Sequence, residues 1–514
     1  MKTYLLSPTI VAFALLSFNV SAQPQMRYVN LNCTNPVPPY TGWSTAATNI
    51  QDAVNASSNG DLILVTNGVY RNGIVTTNAI TIQSVNGSGV TVIDGNQANV
   101  CANLTDGSTL IGFTLTNGYS MFAGAGVLCT SSNVFIFNCL IISNSVYGNF
   151  GAVYSGTLSN CTITCNISLY GAGVGAAFSV LNNCLLSNNT VPQRLSQGGG
   201  AGEGGGALEC TLNRCVLVGN RAAWGAGAAA STLNNCLVAN NYAINYFAPE
   251  GDAIGGGLFA CNATNCTIVN NTVYFPKNTP PRGGGVYGGT LDNCIIFANK
   301  FLYYSLVYQD NYAGGTFYNC CTTPLPPGGQ NNITNPPLFV NQNGGDYHLQ
   351  STSPCINSGN NAYLTSATDL DGNPRLAGGT VDIGAYEYQT PVSKISYAWL
   401  QQYGLPITAN IDASDLDGTG FSVYQDWIAG LNPTNALSVL AMLPPVPTNS
   451  PAGVVVSWQS VSNRTYYLQS STNLTMPSAF STIQSNIPGQ AGTTSFTDTS
   501  ATNGGPYFYR VGVQ

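Results

Sequence analysis

The sequence predicts an all-β chain whose main body is a solenoid of short stacked strands. Three observations predict it. A cysteine followed five residues later by asparagine recurs along the middle of the chain, as in SNCTITCN, LNNCLLSNN, NRCVLVGN, LNNCLVANN, TNCTIVNN and LDNCIIFANK. The 514 residues include 58 Gly and are 44% hydrophobic but only 6% charged. Disordered chains have the opposite balance, low hydrophobicity with high charge. Finally, short β-rich segments alternate with Asn-Gly and Asp-Gly turns, as in LILVTNGVY, AITIQSVN and VTVIDGN.

The chain opens with MKTYLLSPTIVAFALLSFNVSAQPQ. Lys2, an apolar run and Val20-Ser21-Ala22 read as a secretory signal peptide over residues 1–22. The run is too short to span a bilayer, and no later segment is long enough. A secreted or cell-surface protein without a transmembrane segment is therefore expected. Ser44 and the following TAATNIQDAVNA predict a short amphipathic helix with Ile50, Ala53 and Val54 on one face, capping the open end of the solenoid.

The repeats align on Cys139, Cys161, Cys184, Cys215, Cys236, Cys266 and Cys294, at separations of 22, 23, 31, 21, 30 and 28 residues. Periods of this length signify a solenoid. The fifth residue after each is Asn144, Asn166, Asn189, Asn220, Asn241, Asn271 or Asn299. An aliphatic residue two after each cysteine shares its strand face. Glycine usually stands nine before, as at Gly206, Gly227, Gly257 and Gly285. Each rung should thus be one short strand, a polar turn, a second short strand and a glycine corner. The cysteines should form an internal column of small hydrophobes, mostly free thiols, and the asparagines a second column of bonded amides. A metal role for the cysteines lacks paired CxxC spacing, and the single His348 lies outside the repeat.

Over about residues 27–390 the chain resembles secreted right-handed parallel β-helix proteins of the pectin-lyase-like superfamily. YHLQSTSPCINSG and TDLDGNPRLAGGTVDIGAYEY (368–388) are similar to the choice-of-anchor Q domain that closes many such proteins. The resemblance implies the fold and an extracellular setting, but no single chemistry. The expected organisation is a capped right-handed parallel β-helix over 23–320, a closing region over 321–390, a linker and helix–loop–helix over 391–436, and a β-sandwich over 437–514. In the helix–loop–helix, Asp415, Asp417, Thr419, the Phe421 carbonyl and Asp426 take positions one, three, five, seven and twelve, with Gly420 at six. That pattern resembles an EF-hand-like loop and suggests a structural Ca²⁺. Thr at five and Asp at twelve depart from the usual acidic residue and Glu. GVVVSWQSV, TYYLQSST and PYFYRVGV resemble strands of a fibronectin type III-like module.

A net charge of −7, with only 13 Lys and Arg in the whole chain, excludes a nucleic-acid partner. The longer rungs carry insertions between the column asparagine and the glycine corner, at one phase of the solenoid. Aromatics recur there: Tyr147, Tyr170, Trp224, Tyr246, Phe247 and Tyr274. An aromatic strip along a weakly charged surface suits a polysaccharide or cell-surface glycan bound by a monomer. The NTD, DD, GHG and RIK motifs of polygalacturonases do not occur. A uronate-cleaving lyase is the catalytic alternative, with Glu203, Glu250 and Asp252 holding a cation and Arg282 or Lys277 as base. A third reading is a rigid spacer or adhesin of the extracellular matrix.

Overall fold

The computed structural model describes residues 24–148, 150–169, 171–191, 202–244, 253–274, 282–449, 452–474, 480–502 and 505–514. Its main body is a parallel β-helix. Sheet I has 12 strands, sheet II 11 and sheet III 10, and each strand pairs in parallel with the equivalent strand of the next rung. One rung shows the pattern: Thr211–Asn213 in sheet I, Val216–Val218 in sheet II, Arg221–Ala222 in a flanking sheet and Ala228–Ala229 in sheet III.

The rung therefore has more strands than the two expected. The glycine corner leads into a third sheet of mostly two-residue strands, too short to leave an alternating pattern. Its glycines answer a steric demand. A Cβ on Gly206, Gly227 or Gly257 would meet the carbonyl oxygen of the next rung's glycine at 2.5, 2.6 and 2.6 Å.

Three corners turn the chain by one device, a residue in the left-handed region followed by a buried column residue. Asn183, Arg214, Asn235, Asn265 and Asn293 take φ near 50° immediately before the column cysteines. Asparagine tolerates this region better than most residues, which explains the Asn-Cys pair. Asn188, Asn240 and Asn270 do the same before the column asparagines. Phe178, Glu209, Ala230 and Ala260 precede a third column, Ser179, Cys210, Ser231 and Cys261.

The asparagine column is a continuous ladder. Asn220 Nδ2 donates to Asn241 Oδ1 at 3.0 Å and to Leu186 O in the preceding rung at 2.8 Å. The Asn220 amide also donates to Asn241 Oδ1, at 3.0 Å. The pattern repeats from Asn144 through Asn299 and ends on Asn311. These side chains are almost fully buried, so the ladder satisfies polar groups that would otherwise each be costly.

The cysteines are free thiols. Along the column a thiol sulfur accepts from the backbone amide of the preceding rung's cysteine, as for Cys215 N to Cys236 Sγ at 3.4 Å and Cys236 N to Cys266 Sγ at 3.3 Å. Burial pushes Cys129, Cys210 and Cys261 up to about 12, and Cys236 and Cys266 well above the ordinary range. At Cys139 and Cys184 hydrogen bonds to the thiolate lower the value instead, to about 4 at Cys184, but both are buried and so shielded from reagents. With a thiol-reactive probe at pH 8, the folded protein should label rapidly at Cys165 and Cys33, which are exposed and half-exposed, and at the remaining cysteines only after denaturation. Mass spectrometry of the labelled peptides checks this.

The N-terminal cap is shorter than expected. Helix α1 spans Ile50–Asn55, with Asn49 rather than Ser44 as its cap, accepting from the Asp52 amide. Ile50, Ala53 and Val54 are buried as expected. A strand at Met26–Val29 begins sheet I ahead of the helix.

Residues 330–333 pair on the last rung, Gln330 with Tyr318 and Ile333 with Cys321, and the segment that follows lies along the side of the solenoid. Ala385 N donates to Thr267 Oγ1 at 3.0 Å, Gly384 N to Asn293 O at 2.9 Å, and Arg214 Nη1 to Thr368 Oγ1 at 2.6 Å. Leu237, Val269 and Ile295 on the outside of sheet II form one core with Tyr347, Ile356 and Ile383. In earlier rungs this outer face carries Thr162 and Thr164, which are half-buried. What changes at the docking site is burial, since the same outward positions are aliphatic but only half-buried at Leu140 and Ile142, one rung before the threonines. Helices α2 (Tyr397–Gln402) and α3 (Val423–Ala429) join the same core. The C-terminal part has two three-stranded antiparallel sheets around Val456, Trp458, Tyr466 and Leu468.

Arg375 is fully buried among Asp369, Asp382 and Glu387. Its guanidinium donates to the Asp382 and Gly384 carbonyls and lies 3.8 Å from Glu387. The carboxylates accept backbone amides: Asn357 and Tyr388 on Asp382, Ala377 and Asp382 on Glu387. The cluster thus knits loops together. Burial raises Asp382 well above the usual carboxylate range and Glu387 to about 7. His348, held between Asp346 and Asp371 at 2.6 Å each, is raised by those two bonds against desolvation.

All three shifts have the same sign. A raised carboxyl destabilises the fold once it ionises, and a raised histidine loses its stabilisation as pH rises through its folded value. Stability should therefore increase as pH falls from 8 towards 5. Asp61 and Asp346 are lowered, so their contribution is lost as pH falls below about 4. Thermal midpoints across this range should peak between about pH 4 and 6.

Candidate functional site

The outer face of sheet III carries one residue per rung in register: Tyr154, Ala177, Leu208, Ala229, Phe259 and Tyr287. Two aromatic groups bracket this row. At one end Phe150, Tyr154 and Phe178 pack with ring centroids 5.0 to 5.5 Å apart. At the other, Trp224 lies 5.7 Å from Phe259, which lies 5.9 Å from Tyr287. Ala177, Leu208 and Ala229 form the buried apolar stretch between them. Tyr154 and Phe259 stand four rungs apart, about 19 Å at ~4.8 Å per rung.

Glu203 pairs through its backbone with Trp224. Burial raises its carboxyl above the usual range, reinforced by Glu209. The face thus combines ring surfaces, a buried apolar stretch between them and a carboxyl that holds its proton more readily than a solvated one.

The sequence-predicted strip divides over two places. Trp224 packs against Phe259 of the sheet III row. Tyr274 lies on the flanking sheet, which includes Tyr242–Ile244, Thr272–Tyr274 and Lys300–Tyr303 and has its own core of Ala222, Ala243, Val273 and Phe301. Tyr147 is exposed just beyond the short strand Ser145–Val146. Tyr170, Tyr246 and Phe247 lie outside the described residues, as do Glu250, Asp252 and Lys277. Arg282 is described: its backbone amide donates to Asp310 Oδ2 at 2.9 Å. Asp310 is buried and raised by desolvation, with Arg282 opposing the rise.

Sequence reasoning missed Phe150, Tyr154, Phe178, Phe259 and Tyr287. A signal was present: Tyr154, Phe259 and Tyr287 each stand seven residues before a column cysteine. Seven is an odd offset that crosses two corners, so strand alternation alone does not relate the positions.

The loop between α2 and α3 has hard oxygen donors. Asp415 accepts from Gly418 N at 2.8 Å and Gly420 N at 2.9 Å. Asp417 Oδ1 accepts from Thr419 Oγ1 at 2.8 Å, while its Oδ2 is buried without a partner. Asp426 is 1% exposed, and neither of its oxygens has a partner. Its carboxyl is raised to about 6 by burial, then by repulsion from Asp417 and Asp415. Among the described residues no three such side chains are already closed around a metal position. The donor set nevertheless fits Ca²⁺, which takes carboxylate and carbonyl oxygens in flexible geometry. Asp415, Asp417, Thr419, the Phe421 carbonyl and Asp426 would hold it.

The strand register defines the protein as a parallel β-helix with lateral and C-terminal additions. No protein-family model and no curated protein matches the chain. Among solved structures, it is similar to pectate lyase Pel9A at 15% identity and TM-score 0.39, covering 71% of this chain and 97% of that one. A rhamnogalacturonan lyase is similar at 12% identity and TM-score 0.30, covering 68% and 94%. The complex of XylC with xylose is similar at 11% identity and TM-score 0.32, covering 94% and 100%. No helix among the described residues is long and apolar enough to cross a membrane.

Proposed function

We propose that this is an exported polysaccharide-binding protein that lays a glycan chain along the outer face of sheet III and its loop-bearing flank. The row from Tyr154 to Tyr287 supports this reading most directly. It offers two aromatic platforms on one straight face, at a spacing an extended polymer can bridge. Sugar C–H faces pack on such rings. The signal-peptide-like start supports export. The loop at 415–426 supports a structural calcium that braces the region beside the solenoid.

The test is retention of the mature protein on insoluble plant, algal and microbial polysaccharides, with released oligosaccharides followed by mass spectrometry. Retention without products is the expected result. Trp224→Ala and Phe259→Ala should each weaken it by about 10- to 50-fold, as for aromatic anchors in other interfaces. Unsaturated oligosaccharides would replace this reading with a lyase and direct attention to Arg282. No retention on any polymer would leave the spacer.

A further inference from the structure

A second surface feature shares no lining residue with the aromatic row. It is a cleft of about 1350 Å³ where four parts of the chain meet. The last solenoid rungs supply Asn331 and Asn335, the lateral segment supplies Asn360, the helical part supplies Trp399 and Trp427, and the sandwich supplies Asn463. Nearly half of its lining residues are Asn or Gln, several others are Ser or Thr, and none is Asp, Glu, Lys or His. The one charged side chain is Arg464. Its Nε donates to Ile428 O at 2.7 Å and its Nη2 to Trp427 O at 3.0 Å. That bond pair fastens the sandwich to the C-terminal end of α3 and sets one wall of the cleft.

Two kinds of group face the space. Trp399 and Trp427 are half-buried, with part of each indole held by the core beneath. Asn331, Asn335, Gln402 and Asn463 are exposed amides. Each amide offers both donors and acceptors. A neutral lining of amides and hydroxyls beside fixed indoles suits a ligand that is rich in hydroxyls, uncharged and apolar on its ring faces. A free phosphate or a uronate carboxylate would find no cation available, because the Arg464 fork is committed to carbonyls.

We propose that this cleft binds a neutral oligosaccharide, as a site separate from the sheet III row. The class of ligand rests on the polysaccharide reading; the site itself does not.

The experiment uses the full mature chain and soluble hexasaccharides of neutral glucans, xylans, mannans and galactans, with a uronate hexasaccharide as the charged control. Binding is read by calorimetry and by tryptophan fluorescence. At least one neutral hexasaccharide should bind and shift the emission. The double variant Gln402→Ala/Asn463→Ala should weaken it at least 10-fold while keeping the parent melting temperature. Arg464→Ala, which frees the sandwich wall, should weaken it too. Trp427→Ala is the stronger truncation, and the amide variant keeps the test valid if that protein fails to fold.

Trp224→Ala should leave this binding unchanged. If neutral hexasaccharides bind but are lost with Trp224→Ala and retained by the amide variant, the cleft proposal is overturned and the aromatic row stands. If the cleft variants lose binding while polymer retention is absent, the cleft stands and the proposed function falls. Preference for the uronate control, or no binding to any hexasaccharide, overturns the cleft proposal.

Discussion

Asn241→Asp should destabilise the solenoid by about 4–6 kcal/mol at pH 7, enough to prevent accumulation of folded protein in many backgrounds. The change is nearly isosteric, so packing is not the cause. Asn241 Oδ1 accepts from Asn220 N and Nδ2, both at 3.0 Å, and a carboxylate would accept these equally well. The opposite side decides the outcome. Asn241 Nδ2 donates to Leu217 O and to Asn271 Oδ1, both at 2.9 Å. A carboxylate there faces two acceptors and loses both bonds. Protonation restores one of the two, so the variant should regain part of its stability as pH falls. A buried carboxyl raised in the folded state destabilises above its unfolded value and ceases to do so below it.

Asn241→Ala should cost less, about 3 kcal/mol, because it leaves unpaired groups without adding repulsion. Asn311, at the end of the ladder, should tolerate substitution better, since each rung of a solenoid contacts only its neighbours. Chemical denaturation of the three variants checks this order. An Asn241→Asp protein that unfolds at the parent denaturant concentration at pH 7 would show that the amide ladder is not what holds the rungs in register.

The ladder was legible in the sequence because each rung repeats the same buried environment at the same offset. Cysteine, asparagine and the aliphatic residue between them are fixed by close packing on three sides. The glycine corner was legible as composition but not as structure. Gly206, Gly227 and Gly257 are required by backbone approaching within one Cβ radius, and no hydrophobic period records that. The docking of residues 347–400 on sheet II was not legible, because Leu237, Val269 and Ile295 differ little from Leu140 and Ile142 on the same outward positions of an earlier rung. The aromatic row was harder, because its members belong to different rungs separated by insertions of unequal length. Trp224 and Tyr274 look alike in the repeat, yet Tyr274 lies in a strand of the flanking sheet while Trp224 forms only isolated bridges, with Glu203 and Ile254.

Calcium should raise the thermal midpoint of the protein, and Asp426→Asn should abolish that response while stabilising the metal-free protein. The two effects have one origin. Asp426 is buried at the start of α3 with both oxygens unpaired, and Asp417 and Asp415 repel it. Its carboxyl is raised to about 6. At pH 7 and without metal, the ionised group destabilises the fold, by about 1–2 kcal/mol after allowing for screening by nearby solvent. Below pH 6 it takes up a proton, and the cost declines as pH falls towards the unfolded value of about 4.

A divalent cation reverses this balance, since the unpaired oxygens become ligands. At a hundred times the dissociation constant, binding to the folded state alone contributes about 2.7 kcal/mol. Stability should then fall on acidification, because protons compete with the metal. The neutral amide of Asp426→Asn removes the repulsion and also weakens the hard-oxygen set. Melting curves at pH 7 and pH 5, with chelator and with Ca²⁺, give four conditions for each protein. Opposite pH slopes with and without calcium in the parent, and no calcium shift in the variant, are expected. Equal midpoints for the parent in chelator and in millimolar Ca²⁺ would reduce the loop to a turn held by Asp415 on Gly418 and Gly420. The unpaired Asp426 would then be a cost the fold tolerates without return.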